Sequence, residues 1–104
     1  MDSKIIETAT LVILHSGNAR ALVSKALDAA YNNDLDEANK KIKQADQEIS
    51  TAHQVQTEVI QSEARGQGLE FSLLMTHAQD SLMVTMSEIN IAKHMLKLYR
   101  KLYS

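Results

Sequence analysis

Proline is absent from all 104 residues, and glycine occurs only at positions 17, 66 and 68. A β-rich chain of this length needs many tight turns, and those turns draw on Gly, Pro and Asn-Gly chemistry. This chain has almost none of it. Ala, Leu, Lys, Glu, Gln and Met are plentiful instead, and all are strong helix formers. The fold class that follows is all-α, and at this length the chain is expected to form one domain over residues 1–104.

Apolar spacing divides the chain into three helices. The first is predicted from about Ser3, a candidate cap, to Tyr31. Its stripe is Ile5, Ala9, Val12, Ser16, Ala19, Val23, Ala26 and Ala30, alternating at four and three. Gly17 interrupts it, at a cost of up to about 1 kcal/mol relative to Ala. Either close helix packing or room for a partner explains such a residue. "YNNDLDEA" is the first break, where Asp34 followed by Glu37 gives a capping-box-like start. The second helix is predicted to run to about Ala64. Ala38, Ile42, Ala45, Ile49, Ala52 and Val59 face inward, with polar Gln56 in the remaining slot. Its other faces carry Lys, Gln, Asp and Glu, so one side is solvated. "EARGQGLE", with Gly66 and Gly68, marks the second break.

The third helix is predicted from about Leu69 to Tyr103, and it carries two apolar lines. Met75, Leu82, Ile89, Leu96 and Tyr103 are each seven apart, flanked by Ala78, Thr85, Ala92 and Tyr99. That is a heptad seam for the first two helices. Val84, Ile91 and Leu98 form a second line on a different side, and one heptad earlier that line lands on His77. A helix apolar on two sides must be covered on two sides. Helix two is too polar to supply the second cover, so self-association through the third helix is expected.

Composition removes several function classes. The net charge of −2, a sequence pI near 6.0 and an aromatic fraction of 4% leave no basic or base-stacking surface for nucleic acid. Without cysteine there is no disulfide framework, thiolate zinc site or thiol nucleophile. "MDSKIIETATLVIL" lacks the pattern of a signal peptide, and no apolar run is long enough for a bilayer. A cytoplasmic protein with no direct membrane insertion is expected.

The chemistry that remains centres on "LLMTHAQDSLMVTM", where His77 and Asp80 stand three apart on one helix face. Burial of both would be costly without partners. Three readings stay open on the residues alone. His77 can be a structural histidine with Asp80 as its hydrogen-bond partner. The pair can be metal ligands, too few within one chain but sufficient if copies of a carboxylate meet on an axis around a cation such as Mg²⁺. Or His77 can be a nucleophile that acts as a neutral imidazole. His15, His53 and His94 sit at flanks or among basic residues, where surface or packing roles are the default.

In "SGNARAL" (16–22), "AHQVQT" (52–57) and above all "THAQDSLM" (76–83), the chain resembles the enzyme IIA component of the lactose/cellobiose (N,N'-diacetylchitobiose) branch of the bacterial sugar phosphotransferase system. The resemblance spans nearly the whole chain. It implies a homotrimer of antiparallel three-helix subunits combined into a nine-helix bundle. It implies that His77 takes a phosphoryl group from phospho-HPr and passes it to a cysteine of the cognate enzyme IIB, for uptake of a β-disaccharide of the lactose, cellobiose or chitobiose type. Gln79 is implied to support the phosphohistidine by hydrogen bonding. Asp80, one from each of three subunits, is implied to hold a divalent metal, usually assigned as magnesium. Ser81 stands where many relatives have a second histidine, which alters the hydrogen bonding next to the carrier. The rival from another class is a structural or adaptor bundle in which His77 and Asp80 only set packing register.

Overall fold

The computed structural model describes residues 3–62 and 73–103. Three helices account for nearly all of them: α1 (Ser3–Tyr31), α2 (Leu35–Ser62) and α3 (Leu73–Tyr103). They form an antiparallel bundle, about 54 Å long and 18 Å across, in which α1 and α3 run parallel and α2 runs against both. No strand occurs among the described residues. The expected second break, with Gly66 and Gly68, lies outside the described residues. So do the last two residues expected of helix two, the first four expected of helix three and the side chain of Ser3.

The inward positions of α1 and α2 are those that the spacing marks. Ile5 through Ala30 of the first stripe are buried, as are Ala38, Ile42, Ala45, Ile49, Ala52 and Val59 of the second. Alanine is frequent at these positions and brings the helix axes close, since axis separation is set by the side chains at the contact. Gln56 is buried in the α2 stripe as well. Ala78, Leu82, Thr85, Ile89, Ala92 and Leu96 complete the core from α3. The predicted heptad line fails only at its end, where Tyr103 is 73% exposed. The bundle stops there, because the α1–α2 turn lies alongside Tyr99, whose hydroxyl donates to Asn33 Oδ1. Tyr103 therefore stacks on Tyr99, with centroids 4.8 Å apart, instead of entering a core.

The turn between α1 and α2 explains why "NND" ends one helix and starts another. Asn33 adopts φ 64°, a left-handed conformation that asparagine tolerates better than most residues. Asp34 N–H then reaches back to Ala29 O at 2.8 Å and Asn33 N–H to Ala30 O at 2.9 Å, which satisfies carbonyls at the end of α1. Asp34 Oδ1 accepts from Glu37 N–H at 3.1 Å and so caps α2. The capping box is only half made. Asp34 N–H is already used by α1, and the Glu37 carboxylate lies 3.5 Å from Lys41 Nζ.

Candidate functional site

The second apolar line of α3 is on the surface. Val84, Ile91 and Leu98 are 49%, 56% and 62% exposed, and Leu73, Met95 and Leu102 on the same side are also exposed. Among the described residues nothing covers this face. His77 and Asp80 belong to it, since both are exposed and their spacing continues the line toward the start of α3. They do not hydrogen-bond to each other, and neither has a partner among the described residues. A structural histidine satisfied by Asp80 is therefore not what this chain contains. The imidazole is presented to solvent with both ring nitrogens open.

Gln79 is exposed too, but on another side of the helix. Residues two apart on a helix do not face each other. A hydrogen bond from Gln79 to a group on His77 of the same chain is thus disfavoured by geometry, and its amide is directed at whatever flanks α3. Ser81, one turn after His77, is half-buried on the side nearer α1, and its carbonyl accepts from Thr85 Oγ1 at 2.7 Å. Residues four apart are neighbours on a helix surface, so Ser81 borders His77.

Polar side chains also enter the core. Thr8, Ser16, Gln56 and Thr85 are the buried polar side chains among the described residues. Ser16 Oγ and Gln56 Oε1 have no hydrogen-bond partner. Burial without a partner costs stability, so these two positions weaken the core locally.

The other histidines lie away from His77. His15 Nδ1 donates to Glu48 Oε2 at 2.6 Å and ties α1 to α2, at the edge of a shallow cavity of about 300 Å³ lined also by Leu22, Gln44, Gln47 and Thr51. No spacing rule reveals that pair, because it depends on the register of two antiparallel helices. His53 is exposed, and His94 joins Lys97, Arg100 and Lys101 around a cavity near the end of α3. Among the described residues no three His, Cys, Asp or Glu side chains come together to hold a metal ion. Asp80 offers one open carboxylate per chain, which suits a hard cation only if several copies converge. No helix of the described residues is long and apolar enough to cross a membrane.

Comparison with known proteins gives one consistent result. The family described as PTS system, lactose/cellobiose specific IIA subunit, matches residues 7–100. The lichenan-specific phosphotransferase enzyme IIA component of Bacillus subtilis is 42% identical over 102 residues, covering 98% of this chain and 93% of that protein. The cellobiose-specific enzyme IIA of Bacillus anthracis superposes with a TM-score of 0.90 at 40% identity, covering 98% of this chain and 94% of that one. The IIA(chitobiose) of Escherichia coli, solved in complex with HPr, superposes with a TM-score of 0.85 at 31% identity, covering 96% and 97%.

Proposed function

The chain belongs to the lactose/cellobiose-specific IIA family of the sugar phosphotransferase system, and we propose that His77 is its phosphoryl carrier. As a IIA component it is a relay protein, and the relay step needs one nucleophile that both accepts and releases the group. A neutral imidazole does this. Its ring nitrogen attacks phosphorus, the P–N bond to the HPr histidine breaks as the new one forms, and the phosphoramidate then yields to a cysteine of enzyme IIB. The observation that carries the reading is His77 itself, exposed on α3 with no partner on its ring. A carrier must be reached by two different proteins in turn, and a buried or hydrogen-bonded ring would obstruct both. In-line positioning and screening of the phosphoryl oxygens are all that such transfer demands.

The assembly we propose is a homotrimer, a nine-helix bundle closed through the exposed line of α3. Three Asp80 carboxylates then converge on the axis and hold a divalent cation, Mg²⁺ by chemical type, with water completing its shell. The cation would neutralise charges that otherwise repel. Gln79 supports the phosphoryl group on a neighbouring copy, given the side of α3 on which it stands. The partners are HPr as donor and enzyme IIB as acceptor, the location is the cytoplasm, and the sugar is a β-disaccharide of the lactose, cellobiose or chitobiose type. A packing-register role for His77 and Asp80 is less favoured, since both are outside the chain's own core.

The test is direct. With HPr, enzyme I and phosphoenolpyruvate, wild type gains the mass of one phosphate in an acid-labile linkage, and His77→Ala gains none. Labelling of His77→Ala would overturn the site. For the cation, elemental analysis of wild type should find one ion per three chains. Asp80→Leu should lose it and keep the trimer, because an apolar side chain substitutes for repelling carboxylates.

A further inference from the structure

We infer that the C-terminal ends of three α3 helices form an anion site, in which His94 and Lys101 of each chain surround the trimer axis and hold a phosphate group. The inference rests on the proposed trimer with Asp80 at its axis. It adds a ligand of opposite charge at the far end of that axis.

Periodicity supplies the first observation. Asp80, Ser87, His94 and Lys101 stand seven apart on α3, and all four are exposed. They alternate at spacings of four and three with Val84, Ile91 and Leu98, which are exposed as well. That alternation is the pattern of helices wound around one another, and it keeps one seam on the axis along its length. With Asp80 meeting its copies on the axis, Ser87, His94 and Lys101 meet theirs. At 1.5 Å per residue, His94 lies about 21 Å beyond Asp80 and Lys101 about 30 Å beyond it.

Charge supplies the second. No acidic residue follows Glu88 in the sequence, whereas Lys93, Lys97, Arg100 and Lys101 do. Lys93 is paired with Asp46 at 2.6 Å. His94, Lys97, Arg100 and Lys101 are exposed and form no ion pair among the described residues. Together with Leu98 they line one open cavity of about 550 Å³. Cations in a last helical turn offset the partial negative charge of the carbonyl end, and Arg100 and Lys101 are placed for that. The partial charge is about half a unit per helix and acts only within the last turn. Lys97 and His94, about one and two turns earlier, are outside its reach.

The assembly turns this excess into a site. Parallel copies put their α3 ends side by side, so cations without partners approach one another, which is unfavourable unless an anion joins them. On the axial seam the single acid, Asp80, is at the other end. A metal ion on three His94 rings is disfavoured by Lys97 and Lys101 beside them. A phosphate group fits instead. Three ammonium groups and three ring N–H groups around a three-fold axis match the three oxygens on one face of the group, with charge-assisted hydrogen bonds.

Sedimentation of the full chain over a range of concentrations tests this, with sodium chloride at matched ionic strength as the control. Inorganic phosphate at ten times its dissociation constant should favour assembly about tenfold. Lys101→Gln should abolish that response and, without phosphate, assemble at least as well as wild type, because the repulsion is gone. Its phosphorylation by HPr should be unchanged, since His77 is about 36 Å away along α3. Lys43→Gln, at an exposed position on α2, should respond to phosphate as wild type does. Glucose 6-phosphate separates two sources of the group: a response equal to that of phosphate assigns a free ion, and a stronger one assigns an ester that also touches Leu98. A trimeric wild type that responds to phosphate no more than to chloride overturns the site and leaves the proposed trimer standing. So does a Lys101→Gln variant that keeps the response. A wild type that stays monomeric at micromolar concentration, with or without phosphate, overturns both.

Discussion

Leu82, Ile89 and Leu96 repeat every seven residues along α3, and so do Val84, Ile91 and Leu98. The first three are 1% to 3% exposed and the second three 49% to 62%. Residue type does not separate them, nor does period. What differs is the neighbour: α1 and α2 bring alanine-lined stripes to the first line, while no described residue packs over the second. Burying a Leu or Ile side chain stabilises a fold by roughly 1.5–3 kcal/mol. An uncovered line of them, seven apart and ending at an open histidine and carboxylate, is a face made for another molecule.

The sharpest way to break that contrast is to damage each line in turn. Leu82→Ala removes a side chain that is 1% exposed, and the expected loss is about 3 kcal/mol, since large-to-small changes in cores cost about 2–5 kcal/mol. Chemical denaturation measures it, and a loss below about 1 kcal/mol would mean that the first line is not the core. Ile91→Asp touches the second line. Measured where the chains are dissociated, unfolding should shift by less than about 1 kcal/mol, in the range of surface changes. Sedimentation should nevertheless show assembly lost, because a charge buried without a partner is strongly unfavourable at an interface. If Ile91→Asp unfolds the dissociated chain, the second line is part of the subunit core and the distinction collapses.

How much of this was legible beforehand follows from which contacts are local. The span of α1, its eight inward positions and both lines of α3 depend on 3.6-residue geometry, and the spacing states them directly. The turn at Asn32–Asp34 was legible for the same reason, although Asp34 shares its N–H with the end of α1 and so leaves the capping box half made. Contacts between helices were not legible. His15 with Glu48, Lys93 with Asp46 and Tyr99 with Asn33 each depend on the register of two elements, and many registers suit the same stripes. Tyr103 shows the complementary failure, where a correct period runs past the end of the bundle. At the candidate site, position on a second face was legible from His77 and Asp80 alone. Their separate roles were not, because residue spacing cannot distinguish an open ring from a satisfied one; the exposed surface of α3 shows that the ring is open.

The smallest expected effect lies at the border between the two lines. Glu88 sits one residue before buried Ile89, and its carboxylate meets Arg20 at 3.0 Å with side-chain exposures of 35% and 57%. Solvent screens a pair this open, and such pairs contribute about 0.2–1 kcal/mol. Glu88→Gln keeps the shape and removes the charge, so the dissociated chain should lose less than about 0.5 kcal/mol by chemical denaturation, with the effect fading at high salt. Its assembly should respond more than its stability, because covering the exposed line of α3 in the proposed trimer desolvates the adjoining pair and leaves Arg20 without its counter-charge. A stability loss well above 1 kcal/mol, with assembly unchanged, would place the border inside the core and move the boundary of the exposed face from Glu88 toward Val84.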